Sequence, residues 1–334
     1  MDEFNRDAAA SEATVLLAAA SVHPAADVVR RANAALSPEG GIDWQTFVPL
    51  ASEHGVAPLL HHHLSSGVLD SSNLPESAVA EVRRVADGIA RRSLLLTGEL
   101  VALLNAFESE GIRVVSLKGP ILAEQIYGSV ALRRFNDLDL LVAPEDVERA
   151  IALLTSRGYT LDDSKISDDL EAIRRGVESY HRSLLSPAKT HRVELHHFLF
   201  APLGHRTTTI AAIETGLVRR PFHATSVWML QAEDLLAYLC VHGTKHAWQR
   251  IEWVGAVAEL VRSGRVADWD RVDAVARAFG AEGAVAAGLH LVRDLFDAPV
   301  PELELTKRDS VRAAARSFNS NSGTGASNKS RTRW

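Results

Sequence analysis

The stretch that decides the fold is FNDLDLLV, residues 135–142, where two acidic residues interrupt an apolar run. Its branched apolar residues are typical of a buried β-strand. Asp137 and Asp139 lie two residues apart, and side chains alternate faces along a strand, so we expect both carboxylates on one face. A buried charge without a partner is costly, and the pattern therefore demands a compensating group.

A divalent cation is the compensation that this pair favours. Two carboxylates at this separation repel each other and raise each other's pKa unless a cation lies between them. Mg²⁺ prefers oxygen ligands and usually takes one or two carboxylates together with substrate phosphates. We therefore expect Asp137 and Asp139 to bind Mg²⁺ (or Mn²⁺). The alternative is an aspartate at a loop end followed by an exposed edge position.

A third acid is expected from a later strand, HRVELHHF, residues 191–198. Glu194 is flanked there by Val193 and Leu195, and three acids on neighbouring strands could hold two ions for in-line displacement at phosphorus. A surface position for Glu194 stays open as the alternative. His196 lies two residues after Glu194 and is expected on the same strand face. It could act as a proton carrier, contact a phosphate or be an ordinary hydrogen-bonded strand histidine.

The other half of a phosphate site is expected in SLKGP, residues 116–120, which ends a strand and opens a helix. Gly119 would let backbone N–H groups approach a phosphate, and a helix N-terminus favours negative charge. Lys118 adds a positive charge. Arg133 and Arg134 precede the acidic pair, and either a phosphate clamp or a solvated loop fits them. Taken alone, the lysine–glycine turn favours an ordinary turn over a phosphate site, since short glycine motifs often match by chance.

The rest of the chain predicts an α+β protein, with a small mixed β-sheet core flanked by N-terminal and C-terminal helical regions. We expect a helical region over residues 1–110, an α/β core over 111–225, a second helical region over 226–305 and a disordered tail over 306–334. Helices are indicated by DWQTFVPLASEHG, by residues 75–111 as one helix or two, and by four segments after residue 233. Strands are indicated by IRVVSL, DLDLLV, SYHRSLLSP and HRVELHHFLF.

The composition favours a cytoplasmic protein. The 334 residues carry a formal charge of −6, which gives no sign of a dedicated nucleic-acid surface. Cys240 is the single cysteine, so an intrachain disulfide cannot form. The first residues, MDEFNRD, lack the basic region of a signal peptide, and the first apolar stretch is too short to cross a bilayer. We expect no membrane partner, and the sequence indicates no oligomeric state.

The central segment resembles the nucleotidyltransferase-fold superfamily, to which DNA polymerase β belongs, and most closely its branch of uncharacterised nucleotidyltransferase family proteins. The similar segment is GIRVVSLKGPILAEQIYGSVALRRFNDLDLLVAPEDVERAIALLTSRGY, residues 111–159. It has the branch's L-K-G turn, its R…D-x-D-x-L strand and a helix closing on G-Y, and E-L-H follows at residues 194–196. With flanking helical segments, the likeness spans roughly residues 40–305.

The resemblance implies roles for individual residues. It makes Asp137, Asp139 and Glu194 the catalytic and metal-binding acids. It assigns nucleotide binding to the turn of Lys118 and Gly119, and associates Arg134 and His196 with the site. There are departures: Pro120 stands where the wider superfamily has a serine, and Ala256 stands where relatives commonly carry an aspartate.

The expected function is a Mg²⁺-dependent nucleotidyltransferase that transfers an NMP from an NTP such as ATP to an acceptor and releases pyrophosphate. The acceptor stays open among a small molecule, a peptide, an RNA end and a protein side chain. The departures at Pro120 and Ala256 motivate an alternative, a catalytically inactive nucleotide-sensing or protein-binding module of the same fold. A γ-phosphoryl transferase is a further alternative.

A second histidine motif, CVHGTKH, places His242 and His246 one helical turn apart, a spacing that can bind zinc. The zinc-protease pattern needs a glutamate directly after the first histidine, and Gly243 stands there, which excludes that class. Packing against the α/β core is favoured over direct chemistry for this pair.

Overall fold

The computed structural model describes residues 3–162, 181–200 and 208–303, which form one mixed β-sheet with helices on both faces. The predicted α+β class is confirmed. Two parts of the predictions lie outside the described residues, namely the first two residues of SYHRSLLSP and the tail over 306–334.

The N-terminal helical region and the sheet core contain most of the described elements. The helices are α1 (Glu3–Ala19), α2 (Ala26–Ala35), α3 (Trp44–Glu53), α4 (Ala57–Ser66), α5 (Glu76–Ser109), α6 (Pro120–Tyr127) and α7 (Val147–Ser156). The strands are β1 (Val115–Ser116), β2 (Asp137–Leu141), β3 (Thr160–Leu161), β4 (His181–Leu185), β5 (Arg192–His196), β6 (Leu217–Phe222) and β7 (Thr225–Leu230).

Four further helices follow the sheet, as the helical periodicity predicted. They are α8 (Ala232–Lys245), α9 (Ile251–Arg262), α10 (Trp269–Phe279) and α11 (Glu282–Phe296). The segment over 75–111 is a single helix, α5, and Asp43 caps α3 by accepting a hydrogen bond from the Gln45 amide at 3.0 Å. Pro144 opens a 3₁₀ turn (Pro144–Asp146) that leads into α7.

The described strands form a sheet in the order β3-β4-β5-β2-β1-β7-β6. Near its centre, β2 pairs parallel to β5 and antiparallel to β1. The hairpin of β6 and β7 was not predicted, because Arg219, Arg220 and Pro221 interrupt the apolar alternation of β6. Charge and proline of this kind are typical of edge strands. Strand β7 crosses the boundary expected at residue 225, and the division into regions stays a prediction.

Each face of the sheet has its own hydrophobic core. One core packs Leu138 and Leu140 of β2 and Val193 of β5 against α5 and α7. The other packs Val115, Leu141 and neighbouring residues against the N-terminal and C-terminal helices. Because β2 alternates, its acidic residues lie on this second face. Within the described ranges, every helix falls short of the length and apolar character that a bilayer crossing requires.

Candidate active site

The strand register places the predicted acids side by side. Asp139 of β2 is the direct neighbour of Glu194 on β5, and Leu141 is the neighbour of His196. Paired residues of adjacent strands point to the same face, and so do residues two apart on one strand. Asp137, Asp139, Glu194 and His196 therefore share one face of the sheet.

The turn after β1 brings a lysine to this face. The Nζ atom of Lys118 lies 3.1 Å from Oδ1 of Asp139. Gly119 has φ 63° and ψ −131°, a backbone conformation that residues with a Cβ avoid, and it immediately precedes α6. Pro120 occupies the first turn of α6, where its missing N–H costs no hydrogen bond. The turn thus places Lys118 and a helix N-terminus beside the acids.

Three side chains could hold one metal ion. His196 Nε2 lies 3.3 Å from Asp139 Oδ1 and 3.8 Å from Glu194 Oε2. One ligand atom from each of Asp139, Glu194 and His196 falls within 4.8 Å of the others. Asp139 Oδ2 is buried and has no hydrogen-bond partner among the described residues. Such an atom calls for an explanation, and a cation ligated by this oxygen provides one.

The pKa values of the three acids diverge because their surroundings differ. Burial raises the pKa of Asp137 and of Glu194, and the negative charge of Asp139 raises both further. Burial alone would raise the pKa of Asp139 too, but Lys118 and the hydrogen bond with His196 outweigh it and hold the pKa well below its usual range. The positive charges in the cluster therefore balance Asp139 but do not fully balance the negative charges of Asp137 and Glu194.

Lys118 stays charged in this environment. Burial alone would lower its pKa, but Asp139, Asp137 and Glu194 together raise it above the ordinary value. Its side chain is 13% exposed, compared with 1% for Asp139 and 25% for Glu194. The site thus opens toward solvent at Glu194 and Lys118, while Asp139 lies at its floor.

Sequence reasoning did not place further histidines at the site. His181 is the strand neighbour of His196, and their rings stack with centroids 5.3 Å apart. Burial and the charge of His196 lower the pKa of His181 to about 3. The C-terminal end of α8 adds His242 and His246, whose pKa values burial lowers and Asp139 raises in part. Only the strand pairing and the path of α8 bring these residues to the acids.

The His242–His246 pair packs on a tryptophan. The ring of Trp253 lies 5.3 Å from His242 and 5.4 Å from His246, measured between centroids. Gly243, which replaces the protease glutamate, lies against Trp248, and a Cβ there would come within 2.4 Å of that ring. Both histidines thus pack between α8 and α9, close enough to Lys118 and Asp139 for the charges of those two residues to act on their pKa values.

The role of Arg134 in nucleotide binding stays a prediction. Its Nη1 donates a hydrogen bond to the carbonyl of Ser52 in α3 at 2.9 Å, so its side chain reaches the N-terminal helices. The neighbouring Arg133 is the arginine that lowers the pKa of Asp137. Arg133 has extended backbone, with φ −130° and ψ 135°, and adjacent side chains in extended backbone point in opposite directions.

A mixed sheet with strand-borne acids beside a lysine–glycine turn is the arrangement that the sequence resemblance predicted for a nucleotidyltransferase. The family model described as uncharacterised nucleotidyltransferase matches residues 40–297, and the chain belongs to this family. As a member it is a transferase. None of the curated proteins matched the chain.

One solved structure is similar. It is the solution structure of the antibiotic-resistance factor ANT(2'')-Ia, which matches 59% of this chain and 98% of its own length at 11% sequence identity, with a TM-score of 0.41.

Proposed function

We propose that the chain is a divalent-metal-dependent nucleotidyltransferase that transfers an NMP from an NTP to an acceptor hydroxyl or amine and releases pyrophosphate. The observation that carries the proposal is the setting of Asp139. Its carboxylate is buried, lies opposite Glu194 and next to Lys118, and has one oxygen without a partner among the described residues.

The residues present fit a divalent cation. Asp139 and Glu194 offer carboxylate oxygens, and Asp137 is close enough for its charge to act on both. Oxygen ligands of this kind suit Mg²⁺, while the imidazole of His196 adds a donor that Mn²⁺ accepts more readily. Asp139 and Glu194 would hold the ion, which would supply positive charge to offset the negative charge of a bound triphosphate.

Lys118 and the start of α6 would hold the phosphates. The lysine is charged and partly open to solvent, so its ammonium can donate to a phosphate oxygen. Gly119 keeps the turn free of a side chain, and the first N–H groups of α6 lack helical partners. This arrangement supports binding of the triphosphate beside Asp139.

Glu194 is the residue best suited to receive the acceptor proton. Its pKa is raised by burial and by the two aspartates, and its side chain is 25% exposed, compared with 1% for Asp139. A carboxylate with a raised pKa is a stronger base toward a hydroxyl proton. In the proposed step the acceptor oxygen or nitrogen bonds to the α-phosphorus. The bond between the α-phosphorus and the oxygen that bridges it to the β-phosphorus breaks, pyrophosphate leaves, and the acceptor proton passes to Glu194.

Calorimetry with ATP, GTP, CTP and UTP, each with and without Mg²⁺ or Mn²⁺, tests binding, and the released product tests the reaction. Pyrophosphate release supports nucleotidyl transfer, whereas NDP release would identify γ-phosphoryl transfer. Metal-dependent binding with no turnover would favour the inactive module that Pro120 and Ala256 motivate.

Asp139→Asn is expected to abolish turnover, and full activity in that variant with every NTP would refute the assignment. Asp27→Asn, an exposed aspartate paired with Arg31, serves as the control.

A further inference from the structure

Arg133 is a buried arginine that the site described so far leaves without a role. Its residue is 7% exposed, and its Nε has no hydrogen-bond partner among the described residues. Its backbone is held in place, since the Arg133 carbonyl accepts a hydrogen bond from Ser93 Oγ of α5 at 3.1 Å. A buried guanidinium donor without a partner is costly and therefore points to a ligand.

The charge of Arg133 acts on carboxylates of both the candidate site and α9. Arg133 lies four residues before Asp137 in the chain, and its charge lowers the pKa of that aspartate. Glu252 of α9 is 5% exposed; burial raises its pKa, and Arg133 is the strongest of the cations that oppose the shift.

Glu252 is fixed in position by the turn between α3 and α4. A Cβ added at Gly55 would come within 2.2 Å of Glu252 Oε2, so the carboxylate occupies the space that this glycine leaves. The amide of Glu252 donates to the carbonyl of His54 at 3.3 Å, and Arg250 Nη1 lies 3.8 Å from Glu252 Oε1. Oε2 has no partner among the described residues, which leaves part of its charge for the arginines nearby.

We propose that Arg133 is the guanidinium that binds the triphosphate, and that Glu252, a buried carboxylate with one unpartnered oxygen, is a positioning residue that acts on it through its charge. The inference rests on the proposed function. Arg134 donates a hydrogen bond to Ser52, whereas Arg133 has a buried Nε without a partner among the described residues. A guanidinium matches the geometry of phosphate oxygens and would add to the single charge of Lys118.

The test measures binding of inorganic tripolyphosphate and of each NTP, with Mg²⁺, by calorimetry. Arg133→Gln is expected to weaken both by about tenfold or more, as the loss of a charge-assisted bond implies. Arg134→Gln should weaken them less. Arg271→Gln, which removes a partly buried arginine paired with Asp234, is the matched control that should keep the affinity. Should Arg133→Gln fail to fold, Arg133→Lys keeps the charge, loses the planar fork and is expected to weaken binding.

A double-mutant cycle tests the part of Glu252. Glu252→Gln alone should raise KM for the NTP several-fold and leave kcat nearly unchanged, and it should have no further effect in the Arg133→Gln background. Glu259→Gln, a second buried glutamate of α9 that pairs with Arg262, is the control. Additive losses in the double variant would overturn the positioning role.

The outcomes separate this inference from the function on which it rests. If the wild-type protein binds Mg²⁺–NTP and Arg133→Gln binds it equally well, the assignment of Arg133 is wrong and the proposed function stands. If the wild-type protein binds neither NTP nor tripolyphosphate under any metal, both are refuted. A loss confined to Arg134→Gln would transfer the role to that residue and overturn the inference.

Discussion

Lys118 and Asp139 form a buried ion pair, with Nζ 3.1 Å from Oδ1 and the carboxylate side chain 1% exposed. The lysine resolves only part of the charge conflict that the acidic pair creates. Asp137 and Glu194 remain close to Asp139, and burial together with its charge raises the pKa of both. The excess negative charge is what a divalent cation and its triphosphate would neutralise.

In the absence of metal, removing the charge of Asp139 should therefore lower the free energy of unfolding, whereas removing the charge of Asp137 or Glu194 should raise it. Asp139→Asn is expected to lower the free energy of unfolding by about 3 kcal/mol, because it leaves buried Lys118 without its counter-ion. Asp137→Asn and Glu194→Gln are expected to raise it by up to about 1 kcal/mol, since each removes a repelled carboxylate. Urea denaturation in the presence of a chelator measures the difference. Destabilisation of similar size in all three variants would contradict the expectation.

The pH dependence of these variants follows from the direction of each shift. The folded-state pKa of Glu194 is raised above its ordinary value of 4.5. Below pH 4.5 the residue is protonated in both the folded and the unfolded state and costs no stability. As the pH rises from 4.5 through the folded-state pKa, the residue increasingly destabilises the fold. The gain in Glu194→Gln should accordingly appear at neutral pH and vanish in acid. Asp139 has a lowered pKa, so its contribution is present above 3.8 and is lost as the pH falls through the folded value. Thermal melting across this range checks both signs.

Metal binding should raise the melting temperature of the wild-type protein without any nucleotide. An ion that binds only the folded state stabilises it by RT ln(1 + [L]/Kd), where [L] is the free ion concentration. Glu194→Gln should reduce the shift for Mg²⁺ and Mn²⁺ alike, since it removes an oxygen ligand. His196→Ala should reduce the Mn²⁺ shift more than the Mg²⁺ shift, because imidazole is the softer donor. Glu81→Gln, an exposed glutamate paired with Arg84, should leave both shifts unchanged. Equal losses for the two metals in His196→Ala would refute the nitrogen ligand.

The sequence allowed the shared face of Asp137 and Asp139 to be predicted, because alternation along a strand is a local property. It also pointed to Glu194 by the same alternation, although the register that pairs it with Asp139 is a tertiary feature. His181 could not be placed, since the pairing of β4 with β5 brings it to His196. The roles of these residues stay predictions.

Arg133 and Arg134 show where local pattern reasoning stops. Both precede the acids in an arginine pair, and the resemblance favoured Arg134. Extended backbone sends the two side chains in opposite directions, but only the tertiary structure brings α3 to Arg134, where Ser52 accepts its hydrogen bond. The hairpin of β6 and β7 was missed for a related reason, since its edge strand gains pairing only from β7.

Cys240 should be chemically silent in the folded protein. It is fully buried in α8, and burial raises the pKa of its thiol to about 12, so almost no thiolate is present at neutral pH. We expect a thiol reagent to label the folded protein far more slowly than the chain in denaturant, where the same cysteine is exposed. Mass spectrometry after timed labelling measures the ratio. Rapid labelling of the folded protein would mean that α8 opens locally.

Gly119→Ala tests the turn that carries Lys118. With φ 63° and ψ −131°, the position lies outside the conformations that alanine adopts easily, so the variant should lose about 1–3 kcal/mol of stability. The space itself is not the obstacle, because the nearest atom to an added Cβ is the Asp137 carbonyl oxygen at 3.6 Å. Relief of the strain would move Lys118 away from Asp139, and the affinity for tripolyphosphate should fall as a result.

Gly128→Ala is the matched control, since that glycine ends the same helix with φ 69° and ψ 0° in the ordinary left-handed region. It should cost about 1 kcal/mol and leave phosphate affinity unchanged, and an equal loss of affinity in both variants would show that the turn has no specific role in binding.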